Sequence, residues 1–383
     1  MSYLTEERLL IQRTAREFAL KEVLPVANEL DRVKGDIPMS LRDQMGDLGY
    51  FGMRIPEEYG GLGLGVFEYI LVTEELARGW MSVASIIARG NGLGGGFSAE
   101  QKQKYLPRMA RGDFLGAMAL SEPEAGSDLA NVQCKARRDG DEWVLNGSKM
   151  WCTFADGADY IQVLARTGEM DPARRHAGTA MFFFEKERGT FPPGIQATNI
   201  NKIGYHGWRT WELHFDDFRI PLTARLGDEN TEGFKSAVGF LESARAHTAA
   251  RAVGLARGGL EDAIAYARQR VQFGKPIASF QAIRFKLAEM AAEVEAARQL
   301  TYFVCDAIDT GRRCDKEAGM AKWFASEMAE RVTSQALQIH GGVGYTTDLP
   351  IERYWRDARL TKIFEGTSEI QLRIISDRLL EDR

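Results

Sequence analysis

The segment Asp113-Phe-Leu-Gly-Ala-Met-Ala-Leu-Ser121 is where the hydrophobic pattern of this 383-residue chain changes its period. Before it, apolar residues such as Leu9, Leu10 and Phe18 recur at the spacing of amphipathic helices. After it, short runs rich in β-branched and aromatic residues alternate with Gly, Asp and Pro, which predicts strands. Around Pro221 the helical period returns and continues to the end. The pattern therefore predicts an α+β chain in which a β unit lies between two helical units.

We predict three structural units, because a chain of this length exceeds one simple core. They are an N-terminal α-helical domain (1–112), a middle β-barrel or sandwich domain (113–225) and a C-terminal four-helix bundle (226–383). The predicted strands are Phe114–Ser121, Val132–Arg137, Glu142–Lys149, Tyr160–Ala165, Thr179–Phe184, Ile195–Asn199 and Trp211–Phe218. The predicted long helices of the bundle are Gly233–Val271, Phe280–Thr310, Asp315–Ile339 and Glu369–Leu380. We interpret Asp139-Gly140 and Asn146-Gly147 as turns between strands.

The bulk composition excludes several classes of function. A net charge of −5, with 27% charged and 44% hydrophobic residues, provides no electrostatic footprint for nucleic acid. The four cysteines form no CxxC pair, which argues against a zinc site or a disulfide framework and favours a reducing cytosol. The N-terminus is charged and amphipathic, and no apolar run approaches the length of a membrane span. We expect a soluble cytoplasmic protein without a metal.

One glycine-rich motif is discounted. The run Gly90-Asn-Gly-Leu-Gly-Gly95 satisfies GxGxxG, the spacing of a dinucleotide-binding loop. That loop requires a strand before it, whereas a helical pattern precedes this one. We therefore interpret the run as a loop or a close helix crossing.

The most chemically suggestive residue is Glu365, which directly follows the apolar pair Ile363 and Phe364. A carboxylate at the edge of an apolar pocket is expected to have a raised pKa, as a general base requires. Gly366 permits a sharp turn and close approach of a ligand, and Thr367 can cap the next helix. The alternative is an ordinary exposed glutamate at a helix N-terminus.

Two motifs in the predicted β unit suit a flat ligand. The stretch Met118-Ala-Leu-Ser-Glu-Pro-Glu-Ala-Gly-Ser-Asp128 ends a strand and opens a loop whose N–H groups and hydroxyls can bond a heterocycle or a pyrophosphate. In Trp151-Cys-Thr153, the indole can cover a planar cofactor while the hydroxyl bonds its edge. The alternatives are a turn between strands and a core tryptophan.

Three more motifs fall in the predicted bundle. Glu242 and Arg245 share one helix face, which also describes a surface ion pair. The segment Arg270-Val-Gln-Phe-Gly-Lys-Pro276, with Gln281 beyond it, suits a phosphate and an adenine, or simply a helix end. The paired glycines of Gln338-Ile-His-Gly-Gly342 allow close approach of a ligand, or a C-cap.

In this order, the motifs closely resemble the acyl-CoA dehydrogenase family over essentially the whole chain. The resemblance implies an N-terminal helical domain, a middle β domain and a C-terminal four-helix bundle. It also implies non-covalent FAD, a homotetramer arranged as a dimer of dimers, and electron-transferring flavoprotein as acceptor. The motifs that carry it are Ile55-Pro-Glu-Glu-Tyr-Gly-Gly-Leu-Gly63, Ser121-Glu-Pro-Glu-Ala-Gly-Ser-Asp128, Leu145-Asn-Gly-Ser-Lys-Met-Trp-Cys-Thr153, Arg270-Val-Gln-Phe-Gly274, Gln338-Ile-His-Gly-Gly342 and Phe364-Glu-Gly-Thr-Ser-Glu369.

The implied reaction is oxidation of an acyl-CoA thioester to the trans-2-enoyl-CoA. By resemblance, Glu365 takes the α-proton while hydride passes from the β-carbon to flavin N5, and the Glu365 N–H with a ribityl hydroxyl stabilises the enolate oxygen. The residues implied to bind FAD, partly across a subunit boundary, are Met118, Leu120, Ser121, Ser127, Trp151, Thr153, Arg270, Phe273, Gln281, Gln338, Gly341, Gly342, Thr367 and Glu369. Those implied to face the CoA thioester are Ser127, Glu242, Arg245 and Gly366.

Two positions bear on the choice of base and substrate. Some members of the family carry their base at the position of Ala244, so no second base competes with Glu365 here. Arg89 falls on a helix that lines the acyl pocket in similar proteins. As a hypothesis, Arg89 binds a carboxylate or polar group at the end of the acyl chain. An arginine that points into solvent is the alternative.

Other functions stay open at this point. One alternative is a flavin oxidase or monooxygenase of the same superfamily, although such proteins generally lack Glu in the Phe364-Glu365-Gly366 context, which argues against them. An acyl-CoA oxidase and a dehydrogenase specific for an acidic, dicarboxylyl acyl chain are the others. A helical assembly subunit without chemistry would also share the fold.

Overall fold

The computed structural model describes residues 3–91, 96–227, 233 and 241–381. Its order of helices, strands and helices confirms the predicted fold class. A π-helical turn, Ala19–Val23, joins the first two helices. Gly92–Gly95 of the discounted glycine motif lie outside the described residues. The N-terminal helices are α1 (Glu6–Phe18), α2 (Leu24–Leu30), α3 (Met39–Asp47), α4 (Val66–Gly79), α5 (Met81–Ile86), α6 (Ala88–Asn91) and α7 (Ala99–Ala110).

The core of the N-terminal unit is α4, in which every residue except Glu68 is buried. Such a helix is hydrophobic on most of its circumference because other helices surround it. Short segments α5 and α6 continue from it, and their junction at Ile87 keeps a helical backbone. This arrangement places the α5–α6 segment against the C-terminal helices and the sheet.

The middle unit is one mixed seven-stranded sheet. Its order is β1-β4-β2-β3-β7-β6, with β5 paired to β4. Strands β1 and β2 run parallel to β4, whereas the other pairs are antiparallel. All seven predicted strand segments overlap observed strands. The strands are β1 (Gly116–Ala119), β2 (Lys135–Asp139), β3 (Glu142–Thr153), β4 (Tyr160–Arg166), β5 (Thr179–Glu185), β6 (Ile195–Asn199) and β7 (Thr210–Pro221).

The predicted turn at Asn146-Gly147 is wrong, because these residues lie inside β3. The register between β3 and β7 shifts between Leu145 and Gly147, so the pair forms a bulge. Gly147 has φ +131°, and a Cβ there would lie 2.8 Å from Cys134 Cα. Glycine is therefore required by a bend within a strand, and from sequence alone such a bend is easily mistaken for a turn.

The C-terminal unit contains the four predicted helices and one more, α11, which was not predicted. Its eleven residues include the charged residues Arg353, Arg356 and Asp357. These residues obscure the apolar pattern in the sequence, although Ile351 and Tyr354 form a buried face. Between the first two helices lies a hairpin of β8 (Val271–Gln272) and β9 (Lys275–Pro276). The helices are α8 (Leu241–Gln269), α9 (Gln281–Asp309), α10 (Asp315–His340), α11 (Ile351–Thr361) and α12 (Ser368–Leu380).

The three units meet at Asp31, just after α2. The Arg356 guanidinium of α11 donates to the Asp31 carboxylate, and His206 Nδ1 lies 3.0 Å from the Asp31 carbonyl oxygen. Next to this junction, the Tyr205 N–H donates to Asp357 Oδ1 at 2.6 Å. The junction thereby fixes Tyr205 and His206, which follow β6, against the C-terminal helices. None of the helices in the described part of the chain combines the length and apolar character that a membrane crossing requires.

Candidate active site

Glu365 lies on the turn between α11 and α12. Its φ is +54° and that of Gly366 is +88°, so two consecutive residues adopt the left-handed conformation. That conformation costs a glutamate free energy and persists only where the surroundings enforce it. Thr367 caps α12 as predicted, and its Oγ1 accepts from Ile370 N–H at 3.3 Å.

A buried lysine holds this turn. Lys322 of α10 is fully buried and donates from Nζ to the Gly366 carbonyl at 2.6 Å. Gln371 Nε2 donates to the same oxygen at 3.1 Å. Burial lowers the pKa of Lys322 to about 8, against the favourable charge of Glu365. The backbone at the proposed base is thus fixed from the bundle interior.

Two polar residues of α8 hold the Glu365 side chain. Thr248 donates from Oγ1 to Glu365 Oε2 at 2.5 Å. Arg251, three residues later on the same helix face, places Nη2 2.8 Å from the same oxygen. The Arg251 side chain is 1% exposed and that of Glu365 is 34% exposed. The carboxylate therefore has a buried cation on one side and an open side on the other.

The prediction of a raised pKa for Glu365 is wrong in this arrangement. Burial does raise the pKa, but the Arg251 charge and the hydrogen bonds from Thr248 and Arg251 outweigh burial and lower the pKa to about 2. Ile363 and Phe364 precede Glu365 in the chain, but the positive charge of Arg251 is in direct contact with the carboxylate and has an effect opposite to that of an apolar environment. Glu365 is therefore an ionised, firmly held carboxylate.

A row of aromatic rings connects this turn to the sheet. The Tyr205 ring lies 5.8 Å from Phe364 and 5.2 Å from Trp208, and Trp208 lies 5.9 Å from Phe154. The Arg251 guanidinium lies 4.6 Å from the Phe364 ring centroid. Because Phe154 directly follows β3, the row places Glu365 on the same side of the molecule as the end of that strand.

The loop after β1 is held against β3 by a buried ion pair. Lys149 Nζ lies 2.7 Å from Glu122 Oε1, and both side chains are buried. Lys149 Nζ also donates to the Leu120 carbonyl at 2.9 Å, and Met150 N–H donates to the Ser121 carbonyl at 2.8 Å. The backbone of Leu120 and Ser121 is therefore fixed beside the residues that precede Trp151.

The indole of Trp151 is 57% exposed, which excludes the core tryptophan that was its alternative interpretation. Trp151 has φ +62°, so its backbone is held in the left-handed region. Thr153 Oγ1 lies 3.0 Å from Thr210 Oγ1, which also accepts from Lys202 Nζ at 2.8 Å. An exposed flat ring next to hydroxyls at strand ends fits one face and one edge of an isoalloxazine.

Backbone strain concentrates around this region. Seven non-glycine residues of the described chain have positive φ. Four of them, Trp151, Phe154, Tyr205 and Glu365, belong to the site built above. Clustering of this kind is typical of binding and catalytic sites, where surrounding contacts enforce a costly conformation.

A second group of predicted residues gathers at the other end of the bundle. The Tyr266 and His340 rings stack at 4.5 Å, which joins the end of α8 to the end of α10. Lys286 Nζ donates to Gln335 Oε1 at 2.5 Å and joins the start of α9 to them. All members of this group are exposed: Arg270, Phe273, Gln281, Gln338, Gly341 and Gly342.

One chain does not bring the two groups together. Thr248 contacts Glu365 near the start of α8, whereas Arg270 directly follows Gln269, the last residue of that helix. At 1.5 Å per residue, the two ends are roughly 30 Å apart. A single ligand cannot bridge them along this helix unless a second copy of the chain supplies one of the groups.

The remaining predicted residues differ in exposure. Ser127 is exposed in the loop between β1 and β2, and Glu369 is exposed in the first turn of α12. Arg245 is buried, so Glu242 and Arg245 do not form the surface ion pair that was their alternative. Burial lowers the pKa of Arg245, and the nearby charge of Glu242 opposes that effect.

Three residues of the site were not predicted from the sequence: Thr248, Arg251 and Lys322. The first two interrupt the stretch Ala244–Ala252, in which most residues are alanine and buried. Polar residues three apart in such a stretch indicate a buried polar face, and this signal was available. No local pattern singles out Lys322, because its partner lies 44 residues away.

Comparison with known proteins follows the same three-part division. The chain matches the acyl-CoA dehydrogenase N-terminal domain over residues 5–113, the middle domain over 117–218 and the C-terminal domain over 231–380. An acyl-CoA dehydrogenase of Bacillus subtilis is 41% identical over 99% of both chains. The (2S)-methylsuccinyl-CoA dehydrogenase of Cereibacter sphaeroides is 42% identical, and the match covers 99% of this chain and 71% of that protein. The solved structure of butyryl-CoA dehydrogenase from Megasphaera elsdenii superposes with a TM-score of 0.91 and 37% identity, covering 99% of both chains.

Proposed function

The chain belongs to the acyl-CoA dehydrogenase family, whose members are FAD-dependent oxidoreductases, and we propose that it oxidises an acyl-CoA thioester with Glu365 as the base. The observation that carries the proposal is the placement of the Glu365 carboxylate. Thr248 and Arg251 hold it at one end of the aromatic row, and Trp151 and Thr153 lie beyond the other end.

FAD suits the groups that this region presents. Trp151 offers an exposed flat face, while Thr153 and Ser121 offer hydroxyls beside it. FAD held there would supply an acceptor for the hydride that leaves the β-carbon of the substrate. The chain's own part is to hold the acyl group between this surface and Glu365, and to remove the α-proton.

Glu365 must change its environment to do this. A carboxylate with a pKa of about 2 accepts a proton poorly near neutral pH. Thr248 and Arg251 both contact Oε2, so a rotation of the Glu365 side chain that moves this oxygen can separate the carboxylate from Arg251. Without that contact, burial dominates and raises the pKa toward the working range. The Glu365 N–H, fixed by the turn, is the proposed donor to the thioester oxygen.

A second copy of the chain completes the cofactor site in this proposal. The supporting observation is the tip of the β8–β9 hairpin, where Phe273 is 93% exposed and has φ +52°. An exposed aromatic side chain on a strained backbone is unfavourable unless another surface covers the ring. Covering the tip with a partner would bring Arg270 and the glycines at 341–342 to the far end of a bound FAD. A dimer of dimers and electron-transferring flavoprotein as acceptor follow by family analogy.

Similar proteins differ in the acyl group of their substrates. The names of similar proteins include methylsuccinyl-CoA and butyryl-CoA dehydrogenases, which act on a charged and an apolar acyl chain. The choice between them has to come from residues of this chain.

The test is anaerobic bleaching of the flavin by a panel of acyl-CoA thioesters. Glu365→Gln should retain FAD and lose bleaching, because the amide cannot accept the α-proton. Glu29→Gln, at an exposed position of α2, serves as the matched control and should bleach like wild type. Bleaching by Glu365→Gln at the wild-type rate would refute the assignment of the base. Rapid recovery of the oxidised spectrum on admitting oxygen would favour an oxidase instead.

A further inference from the structure

Arg89 of α6 points into the protein rather than into solvent. Its guanidinium carbon lies 5.3 Å from the ring centroid of the buried Trp208, and its Nε is buried. Within the described chain, neither Arg89 Nε nor Trp208 Nε1 has a hydrogen-bond partner. Two buried N–H donors on adjacent side chains therefore have no acceptor there.

The position of Arg89 relative to the proposed base follows from the helix that carries it. Arg251, which contacts Glu365, donates from Nη1 to Ser85 Oγ at 2.9 Å. Arg89 follows Ser85 by four residues, and the backbone at Ile87 between them is helical. The two side chains therefore share a face, with Arg89 about 6 Å further along the axis. Arg89 thus lies about one helical turn beyond Ser85, the residue that contacts Arg251.

The charges of Arg89 and Glu365 both affect the ionisation of the same three buried side chains. The charges of Arg89 and Glu365 each act on Tyr69, Tyr205 and His247, whose ionisation is disfavoured chiefly by burial. Arg89 and Glu365 thus act on one set of side chains from opposite charges. The aromatic row also connects them, since Arg89 contacts Trp208, Trp208 contacts Tyr205, and Tyr205 contacts Phe364 beside Glu365.

The positive charge of Arg89 is not balanced by a carboxylate in the described part of the chain. Glu365 is already paired with Arg251, and burial lowers the pKa of His247 to about 3, so His247 is neutral. Among the residues that the structure describes, none provides a carboxylate within ion-pair distance of Arg89. A partly buried guanidinium without an anion is unfavourable, so the arrangement favours a ligand that supplies one.

We propose that Arg89, with Trp208 Nε1, binds a carboxylate at the far end of the acyl chain, so that the substrate is a short dicarboxylyl-CoA thioester. The planar guanidinium can donate two parallel hydrogen bonds to a carboxylate, which fixes the direction of the chain as well as its charge. An acyl chain ending in a methyl group would bury against Arg89 without satisfying either donor. This inference rests on the proposed function, since it concerns the substrate of the same site.

The test compares glutaryl-CoA with hexanoyl-CoA, which differ mainly in the terminal carboxylate. In the holoenzyme, wild type should prefer glutaryl-CoA in kcat/KM of anaerobic flavin reduction, and Arg89→Ala should lose about 10- to 100-fold for glutaryl-CoA alone. Arg89→Lys should recover part of the loss, and Arg13→Ala, at an exposed position of α1, should change neither substrate. Calorimetric titration of Glu365→Gln and Glu365→Gln/Arg89→Ala should show the same loss in affinity without turnover.

The possible failures are distinguishable. If no acyl-CoA bleaches wild type, the proposed function fails. If hexanoyl-CoA bleaches it and the preference is the same in wild type and Arg89→Ala, only the role of Arg89 fails. Loss of FAD from both Arg89→Ala and Arg89→Lys, with an unchanged substrate ratio, would assign Arg89 to the cofactor site and also overturn the proposal. Arg89→Met, which keeps the length of the side chain, replaces the alanine variant if that variant does not fold.

Discussion

Arg251 Nη2 lies 2.8 Å from Glu365 Oε2, although 114 positions separate these residues in the chain. The Arg251 guanidinium also contacts Ser85 Oγ and Thr248 Oγ1 and stacks on Phe364. It therefore links α5, α8 and the turn before α12. This buried cation therefore contributes to both the position and the acidity of the proposed base.

Replacing Arg251 should raise the pKa of Glu365. In Arg251→Met, burial remains while the main opposing charge is removed. The acid limb of the pH profile of flavin reduction in kcat/KM should move to higher pH, and Arg251→Lys should move it less. An acid limb that stays in place in Arg251→Met would show that Arg251 does not set the acidity of the base.

Replacing Lys322 should disturb the turn that carries Glu365. Lys322→Met keeps the length of the side chain but removes the charged donor to the Gly366 carbonyl, a hydrogen bond worth about 1.5–3 kcal/mol. We expect kcat to fall while FAD content is retained, with the loss in stability measured by chemical unfolding. Lys21→Met, at an exposed position, is the control. Unchanged kcat and stability would mean that Gln371 alone holds the turn.

Substitutions of the buried ion pair Lys149 and Glu122 should have non-additive effects on the free energy of unfolding. Lys149→Met leaves a buried carboxylate without its cation, which should cost about 3–5 kcal/mol of unfolding free energy. In Lys149→Met/Glu122→Gln no buried charge remains unpaired, so the double variant should lose less than the sum of the single variants. A double-mutant cycle of urea unfolding measures this coupling, and strict additivity would contradict it.

The His206–Asp31 contact should make stability fall with rising pH. Burial lowers the pKa of His206, but the hydrogen bond and the charge of Asp31 outweigh it and leave the pKa above 6.5. Folding therefore favours the protonated ring, so this stabilisation is complete below pH 6.5 and is lost as pH rises through the folded-state pKa. As the pH rises above 6.5, the melting temperature of wild type should fall more steeply than that of His206→Gln. Parallel curves would show that the contact is not linked to protonation.

The exposed hairpin tip should matter for FAD binding but not for the fold of one chain. Phe273→Asn suits the left-handed backbone better and removes no buried contact, so the melting temperature of the apoprotein should not fall. If a partner chain covers this tip, FAD affinity should fall about tenfold or more, as a loss of 1.4 kcal/mol implies. Val33→Asn is a control with an exposed apolar residue elsewhere. Equal FAD affinity and equal mass by analytical ultracentrifugation would exclude this role of Phe273.

The order of helices and strands was readable from local patterns, because amphipathic period and turn residues act over a few positions. The same is true of the Thr367 cap and of the break at Glu365 and Gly366, since both depend on adjacent residues. The bulge at Gly147 and the helix α11 were misjudged for the converse reason. Whether a glycine bends a strand, or a charged segment buries one face, is decided by what packs against it.

The chemistry of the site lies beyond that range. A carboxylate beside Phe364 indicated a raised pKa, and contact with Thr248 and Arg251, 117 and 114 residues away, reverses the direction. The burial of Arg89 against Trp208 could not be predicted from the sequence either. The sequence of a helix does not show which of its faces a distant row of aromatic rings will cover. Local sequence thus specified the elements and pointed to Glu365 as the proposed base, whereas the packing of α5, α8 and α10 set its charge environment, because electrostatic effects depend on distance in space rather than along the chain.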